Sequence, residues 1–390
     1  DYAEYDASKI ASKYHEVGFV DAKVEQRRVF AEEENTIFME FNVHEGQRYR
    51  IGQIDIVGNH QVHGKVVRSV LDEEDFYPGQ WYNADIARGD GSGDLEKFVN
   101  RKVMSQETTI EPKESEGEYR DAQVNISESQ TGSIMLGAGV NSNSGLVGQV
   151  VLNQRNFDIF DWPMSFEEFI TGKAFKGAGQ QFRVSLNPGT EQSSFAISFA
   201  DSTLYDKPVS LDVGFTGFER VQESYDEQRL KGYIGLEKRY RNDWRRGVAF
   251  RAENVGVEDI DFDAPREVKD DAGDNILLGT KLFIRKDTTD SRFLPTKGYN
   301  FNAGYEQVVG DYTFGVLSGT QRWYNTVYED LGGRRTVLST KLHGATILGD
   351  APVYEKFYAG GTGSIRGFDY RGVSTRGRST GPAPNELDDP

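Results

Sequence analysis

The side chains of this sequence that could carry chemistry are few and poorly grouped. His60 and His63 have the spacing of half a metal site, but they fall at an expected turn with no third ligand nearby. Carboxylates between residues 258 and 274 could hold Ca²⁺, but their spacing is not that of a calcium loop; they are Glu258, Asp259, Asp261, Asp263, Asp270, Asp271 and Asp274. We favour solvated loops at both places and predict no metal and no other cofactor.

No residue pattern typical of an enzyme is present. The chain has no cysteine, which excludes a thiol nucleophile and a disulfide scaffold. The glycines at 361, 363 and 367 have the wrong spacing for a phosphate loop and do not lead from a strand into a helix. Neither a Ser-His-Asp order nor a catalytic carboxylate pair emerges. The net charge of −17 argues against nucleic-acid binding, so we predict neither an enzyme nor a nucleic-acid-binding protein.

The first third of the chain has the pattern of an α+β protein. Residues 47–129 predict the order β-α-α-β-β, and residues 1–46 match the second half of that order. The expected helices are at 6–15, 64–71 and about 83–98, and the expected strands are at 22–30, 36–43, 49–57, 102–111 and 119–127. We therefore predict half a domain at 1–46 and a complete domain at 47–129.

From residue 130 onward the pattern is that of successive strands with strict two-residue alternation. Ile134, Leu136, Ala138 and Val140 face one way, and the residues between them face the other. We predict eleven such strands, at 133–141, 145–154, 180–188, 194–201, 209–220, 229–240, 245–256, 275–286, 298–308, 312–326 and 335–348. No stretch approaches the roughly 18 apolar residues of a spanning helix.

A transmembrane β-barrel fits these strands better than a soluble β-sandwich. The strands are longer than those of soluble sheets, short and long connections alternate, and aromatic residues such as Tyr240 and Trp244 cluster at strand ends. The long segment 156–179 breaks the alternation of connections and contains a possible helix at 165–170. An odd number of strands leaves an open edge, so we expect further strands beyond Pro390.

Several motifs carry a resemblance to a known family. Gly-Ser-Ile-Arg-Gly-Phe at 363–368 resembles the Val/Ile-Arg-Gly-Phe/Tyr motif in the sixth extracellular loop of the BamA superfamily, and Lys-Phe-Tyr-Ala-Gly-Gly at 356–361 fits the same loop. Arg-Lys-Asp-Thr-Thr-Asp at 285–290, with Leu-Pro-Thr-Lys-Gly at 294–298, resembles the family's turn between strands eight and nine. The segments 17–22 and 54–59 resemble the polypeptide-transport-associated (POTRA) repeat.

The resemblance implies a fold class, a location and a function. The fold class is α+β POTRA domains followed by an all-β transmembrane barrel, with about eleven of sixteen strands present. Residues 1–46 would be the C-terminal half of a POTRA domain, 47–129 a complete one and 130–390 the N-terminal part of the barrel. The location is the bacterial outer membrane, with the POTRA domains in the periplasm. The implied function is insertion of outer-membrane β-barrel proteins.

The resemblance also implies partners and leaves two other functions open. The expected partners are unfolded client proteins, periplasmic chaperones, accessory subunits of an assembly complex and the lipid bilayer. Alternatives within the same superfamily are a two-partner-type secretion pore that exports a soluble polypeptide and a translocation module that acts on autotransporters.

Three groups of site residues follow from the resemblance. The loop motif Ile365, Arg366, Gly367 and Phe368 is expected in the barrel lumen, where Arg366 would pair with carboxylates of later strands. A second group is the lateral seam on strand one, formed by Ser133, Ile134, Met135, Leu136, Gly137, Ala138 and Gly139; its glycines either weaken an edge that must open or merely relieve curvature. The third group is a periplasmic turn motif of Arg285, Asp287, Asp290, Pro295 and Gly298.

Overall fold

The computed structural model describes residues 2–30, 36–103, 105–114, 117–141, 145–170, 172, 174–222, 224–291, 293–330, 332–361, 363–373, 377–378 and 387–388. The helices are α1 Tyr2–Glu16, α2 Gly64–Glu73, α3 Asp94–Val103, α4 Phe166–Ile170 and α5 Arg266–Asp270, with 3₁₀ turns at Leu204–Asp206 and Val353–Glu355. Within these residues, no helix is both long enough and apolar enough to cross a membrane.

The strands form two antiparallel pairs, a small mixed sheet and one large sheet. The first pair is β1 Lys23–Phe30 with β2 Ile37–His44. The small mixed sheet contains β3 Arg50–Val57, β4 Ser105–Lys113 and β5 Tyr119–Glu128. The large sheet contains β6 Gly132–Asn141, β7 Gly145–Phe157, β8 Lys176–Asn187, β9 Gln192–Asp201, β10 Val209–Val221, β11 Asp226–Arg239, β12 Trp244–Glu258, β13 Gly273–Asp287, β14 Gly298–Gly310, β15 Phe314–Glu329 and β16 Arg335–Gly349. A last pair is β17 Gly377–Arg378 with β18 Leu387–Asp388.

Residues 47–129 fold as a three-stranded sheet covered by α2 and α3. Strand β5 lies in the middle, parallel to β3 and antiparallel to β4. Both helices are amphipathic, so their apolar sides pack on the sheet and form a closed core. Its fully buried members include Ile51, Val67, Leu71, Val99 and Ile110. The observed order is β-α-α-β-β.

The preceding segment α1-β1-β2 is joined to this domain through backbone contacts. The Tyr49 N–H donates to the Gly18 carbonyl at 2.8 Å, and Ala84 N–H donates to His15 at 3.1 Å. Gly18 has φ +105°, and a Cβ there would lie 3.0 Å from the Tyr49 oxygen, so only glycine fits. The Arg48 guanidinium stacks on Trp81 at 3.5 Å beside this joint.

The helix expected at about 83–98 is wrong at its start. The structure has only α3, Asp94–Val103, because Gly89 and Gly91 adopt positive φ and interrupt a helix. The fully buried Glu96 holds the intervening loop: its carboxylate accepts backbone hydrogen bonds from Gly89 (2.8 Å), Gly93 (2.9 Å) and Ile110 (2.8 Å). A single carboxylate therefore joins the loop, the start of α3 and strand β4.

The eleven strands predicted after residue 130 are confirmed as one antiparallel sheet. They pair in chain order from β6 to β16, each with its sequence neighbour. Among the described residues, β6 and β16 each pair on one side only, so the sheet has two open edges. Antiparallel neighbours joined by hairpins satisfy backbone polar groups locally, which suits long strands with short turns.

The two faces of this sheet differ sharply in chemistry, as the alternation predicts. We call apolar face the side that exposes residues such as Leu230, Ile234, Phe250, Leu282 and Leu342. The opposite side is called the polar face; register pairing places on it Glu227, Arg229, Arg251, Glu253 and Glu306. The apolar side chains remain exposed, so this side has no protein cover in the described chain.

The turns that follow β9, β11, β13 and β15 all lie beside the N-terminal elements. Lys65 of α2 pairs with Asp206 at 3.2 Å, Arg101 of α3 lies over the Phe293 ring at 4.0 Å, and Tyr5 of α1 donates to Glu329 at 3.0 Å. The His63 N–H also donates to the Gly177 carbonyl at 2.9 Å. The α+β elements thus occupy one end of the sheet, the end at which β7, β9, β11, β13 and β15 terminate.

We expect Glu96→Gln to destabilise the α+β domain by about 2 kcal/mol, because an amide keeps one acceptor and turns a donor towards buried N–H groups. Chemical unfolding followed by the fluorescence of Trp81, in a background that carries phenylalanine in place of Trp162, Trp244 and Trp323, would measure the loss. Glu111→Gln on the exposed side of β4 is the control, and equal stability of the two variants would contradict the bridging role of Glu96.

Candidate functional site

The loop that follows β16 folds back onto the polar face, and one glutamate fixes its first part. The Glu355 carboxylate accepts hydrogen bonds from Arg229 at 2.8 Å and from Arg251 at 3.0 Å. Arg229 also binds Glu227 at 2.5 Å, and Arg251 also binds Glu306 at 2.5 Å. Both loop and sheet therefore share one ionic cluster.

Glu253 lies between the two arginines of this cluster. It is 3% exposed, contacts Arg229 at 3.4 Å and pairs with Arg251. Buried charges are tolerated only when paired and hydrogen-bonded. The alternation of acid and base across β11, β12 and β14 meets that condition, and we call this set the ionic cluster: Glu227, Arg229, Arg251, Glu253, Glu306 and Glu355.

A second attachment lies beside the ionic cluster. Asp271, after α5, accepts the backbone N–H of Val353 at 2.7 Å and the Tyr312 hydroxyl at 2.5 Å. Val353 and Tyr354 pack into an apolar cluster with buried residues of the sheet, namely Val255, Val257, Leu277, Val308 and Phe314. The start of the loop is thus held by charge, backbone hydrogen bonds and apolar burial together.

The far part of the loop is held by Arg371. Its guanidinium donates to the Tyr225 hydroxyl at 3.1 Å, lies 3.9 Å from Glu227 and stacks over the Tyr358 ring at 4.0 Å. The neighbouring Tyr370 ring lies under Arg220 of β10 at 4.1 Å. Arg371 therefore links the returning loop to the same ionic cluster.

The loop motif expected in the lumen lies between these two attachments. Ile365, Arg366, Gly367 and Phe368 are all exposed. Gly367 has φ +91°, and Gly361 donates its N–H to the Phe368 carbonyl at 3.0 Å, so the motif closes a compact turn. In the described structure the loop arginine that is half-buried and held against the sheet is Arg371. A lumenal contact of Arg366 with later strands stays a prediction.

The residues expected at the seam lie in strand β6, one of the two open edges of the sheet in the described chain. Ser133, Ile134, Met135, Leu136, Gly137, Ala138 and Gly139 are exposed, and all pair with β7. A Cβ built on Gly139 meets nothing within 4 Å, so crowding does not require that glycine. The choice between a weakened edge and relief of curvature stays open, and opening of this strand stays a prediction.

The turn motif between β13 and β14 is brought together by hydrogen bonds. Asp290 accepts the backbone N–H groups of Thr296 (2.8 Å) and Lys297 (3.0 Å), and Asp287 accepts from Asn300 at 3.1 Å. Gly298 has φ +97°, and a Cβ there would lie 2.2 Å from the Thr288 oxygen. Of the other members of the motif, Pro295 lies within the turn, and Arg285 lies near the end of β13, where it pairs with Glu237 at 3.3 Å.

These hydrogen bonds also perturb the titration of the turn. Burial alone would raise the pKa of Asp290, but the donors on Thr296 and Lys297 outweigh it and hold the pKa below its ordinary value. The ionised carboxylate is therefore the form that stabilises the turn.

The α+β domain contacts the turn between β11 and β12 through one carboxylate that lies near three cationic side chains. Glu73, at the end of α2, lies 3.4 Å from Arg239, 3.3 Å from Arg245 and 3.5 Å from Lys102. Arg239 and Arg245 flank the turn between β11 and β12. The domain is thus positioned by ion pairs against the sheet.

Carboxylates of the acidic segment 258–274 accept hydrogen bonds that hold neighbouring parts of the chain. Asp271 holds the loop, and Asn254 of β12 donates to Asp274 at 3.1 Å. In the part of the chain that the structure describes, no three His, Asp or Glu side chains are grouped as a metal site.

Sequence reasoning missed Glu355, Arg229, Arg251 and Arg371. A usable signal was present in the strands: Glu227 with Arg229, and Arg251 with Glu253, are opposite charges two residues apart and thus on one face. Their common partner Glu355 could not be found in this way, because it lies more than a hundred residues away.

Comparison with known proteins gives a consistent result. The Omp85 superfamily domain matches residues 175–382, which is more than half of the chain. The chain is 25% identical to the outer membrane protein assembly factor BamA of Nitratidesulfovibrio vulgaris, across 98% of this chain and 45% of that protein. The chain therefore spans less than half the length of this curated relative.

Solved structures share the fold. The structure of BamA from Haemophilus ducreyi lacking POTRA domains 1–3 aligns with a TM-score of 0.59 at 16% identity, covering 96% of this chain and 70% of that one. CdiB from Escherichia coli aligns with a TM-score of 0.51 at 14% identity, covering 94% of this chain and 66% of that one. At these identities the likeness concerns the fold alone.

Replacing Glu355 with alanine should release the first part of the loop. The change removes two charge-assisted hydrogen bonds, so docking should weaken by about 3 kcal/mol. Trypsin cleavage after the exposed Lys356 should become faster, with Glu355→Gln intermediate and Asp350→Ala unchanged. Cleavage at the wild-type rate in Glu355→Ala would show that the apolar contacts of Val353 and Tyr354 suffice.

Replacing Asp290 with asparagine should destabilise the turn by about 1 kcal/mol at neutral pH, a modest cost because the side chain is exposed. A lowered folded-state pKa gives stability that is present above the unfolded pKa and lost as the pH falls through the folded pKa. The difference between wild type and variant in urea midpoint should therefore shrink below about pH 4. Glu267→Gln, at an exposed position of helix α5, is the control. A pH-independent difference would contradict a role for the charge.

Proposed function

We propose, because this chain belongs to the Omp85 superfamily, that it inserts and folds β-barrel proteins in the bacterial outer membrane. The matched relative of N. vulgaris is named an outer membrane protein assembly factor, which supports this activity. Residues 47–129 would be a POTRA domain, residues 1–46 half of another, and residues 130–390 part of the membrane barrel. The alignment of 96% of this chain with the structure of a BamA lacking POTRA domains 1–3 supports this division.

The observation that carries the proposal is the position of strand β6. It follows β5 of the α+β domain after only three residues, 129–131, and it lies at an open edge of the sheet. An edge strand presents unpaired N–H and C=O groups that can receive a further strand by β-augmentation. The domain expected to receive clients is therefore adjacent to the edge that would template them.

The two faces of the sheet support the placement in a membrane. The exposed apolar face would contact lipid, and the polar face with its ionic cluster would line the interior. The α+β domain would then lie in the periplasm, which is the location that its resemblance to POTRA domains implies.

The proposed process needs no catalytic group. Pairing with β6 would satisfy client backbone hydrogen bonds, and transfer into lipid would bury client apolar side chains. Clients would be unfolded outer-membrane proteins, delivered by periplasmic chaperones and accessory subunits. Arg366 would take part once the loop meets carboxylates of later strands.

Reconstitution of the full-length gene product into liposomes would test this function. We expect the wild type to accelerate folding of a small unfolded barrel protein and Arg366→Ala to weaken that acceleration. Lys356→Ala is the control, because it removes an exposed cation from the same loop.

The same experiment separates the alternatives. No acceleration, together with ion conductance across the bilayer, would contradict the insertase and favour a two-partner-type secretion pore. Acceleration confined to autotransporter clients would favour the translocation module.

A further inference from the structure

The connection between β7 and β8 carries a group of aromatic and apolar side chains at the α+β end of the sheet. We call residues 157–175 the aromatic segment; its large apolar residues include Phe157, Ile159, Phe160, Trp162, Met164, Phe166 and Phe175. It follows the strand next to the free edge β6, and it contains α4.

The segment is fixed to the apolar face. A register shift between Arg155 and Phe157 places the Phe157 ring against Phe182 at 5.2 Å and Phe199 at 6.2 Å, both on the apolar face. Phe175 stacks on Phe157 at 5.5 Å. The aromatic segment therefore continues the apolar face beyond the strand ends.

Its polar backbone groups find partners within the segment. Asp161 accepts the Phe175 N–H on its carbonyl at 2.8 Å and the Lys176 N–H on its carboxylate at 3.1 Å. Asp158 accepts the Phe160 N–H at 2.9 Å, and Glu168 accepts the Met164 N–H at 2.8 Å. Internal pairing lowers the cost of placing these groups where water is scarce.

The side chains that remain outward are strongly apolar. Met164 is 95% exposed, Phe160 83%, Phe166 76% and Trp162 70%. Burial of such large apolar side chains is favourable, so their joint exposure to water is unfavourable.

We propose that the aromatic segment is an interfacial membrane anchor, which lies among the lipid headgroups on the side of the α+β domain. Aromatic and apolar side chains at strand ends, continuous with a lipid-facing surface, suit the boundary between headgroups and acyl chains. Asp158, Asp161, Glu167 and Glu168 make the segment acidic, so apolar contact holds it rather than attraction to anionic lipid. The inference rests on the membrane placement proposed above and is independent of insertase activity.

The anchor would also hold the α+β domain in place relative to the membrane surface. Asn156, just before the segment, donates to the Gln61 carbonyl at 3.5 Å, and the His63 N–H donates to the carbonyl of Gly177, just after it. The lipid-bound segment and the loop before α2 would therefore move together.

Site-directed fluorescence would test the anchor; these 390 residues contain no cysteine, and any cysteine elsewhere in the full-length protein is first replaced by serine. Met164→Cys in the full-length protein is labelled with an environment-sensitive dye and folded into phosphatidylcholine vesicles. We expect blue-shifted emission, quenched more by a lipid with a nitroxide near its headgroup than by one with a nitroxide near its chain end. Leu282→Cys on the apolar face should respond to lipid nitroxides, and Lys113→Cys on β4 should not.

The control sites make each outcome decisive. Emission at residue 164 that matches the water-exposed residue 113, while residue 282 is quenched, would overturn the anchor and leave the membrane placement intact. Blue-shifted but unquenched emission at residue 164 would show that protein covers the segment and would also overturn it. Absence of quenching at residue 282 would overturn both the membrane placement and the anchor.

Discussion

The two-residue period of the strands is the constraint on which the rest of this structure depends. One register must place Leu230 and Ile234 on one face while Arg229 and Glu227 lie on the other. A slip by one residue would exchange the faces and put guanidinium groups on the apolar side. The exposed apolar face, the ionic cluster and the docked loop are therefore consequences of a single alignment, repeated across eleven strands.

The ionic cluster on the aligned strands determines where the loop docks. Buried ion pairs add little net stability, because desolvation offsets much of their attraction, but they penalise any arrangement that leaves a partner unpaired. Arg229 and Arg251 each meet Glu253 and Glu355, so a shift of the loop breaks contacts on two strands at once. The cluster thus selects one place for the loop more than it strengthens the fold.

The sequence allowed the strands to be predicted because alternation is a local property. The loop at 84–93 could not be predicted in the same way, since Glu96 holds it through N–H groups that only the folded chain brings together. The contacts of the docked loop are even less predictable from local sequence. The motif around Arg366 stands out by its resemblance, whereas the half-buried contacts that hold the loop belong to Glu355 and Arg371, whose partners are distant in sequence. Local pattern thus predicts elements, and long-range charge pairing decides their contacts.

The end of the sheet that carries the α+β domain combines three features within a few residues of one another. The domain contacts turns through Glu73 and Arg239, strand β6 starts just after β5, and the aromatic segment starts one strand further on. On the proposed membrane placement, a strand that arrives from the domain would meet β6 where the aromatic segment contacts lipid. Because the segment is bound to the loop before α2, disturbance of the lipid there would be transmitted to the domain by direct contact rather than through the sheet.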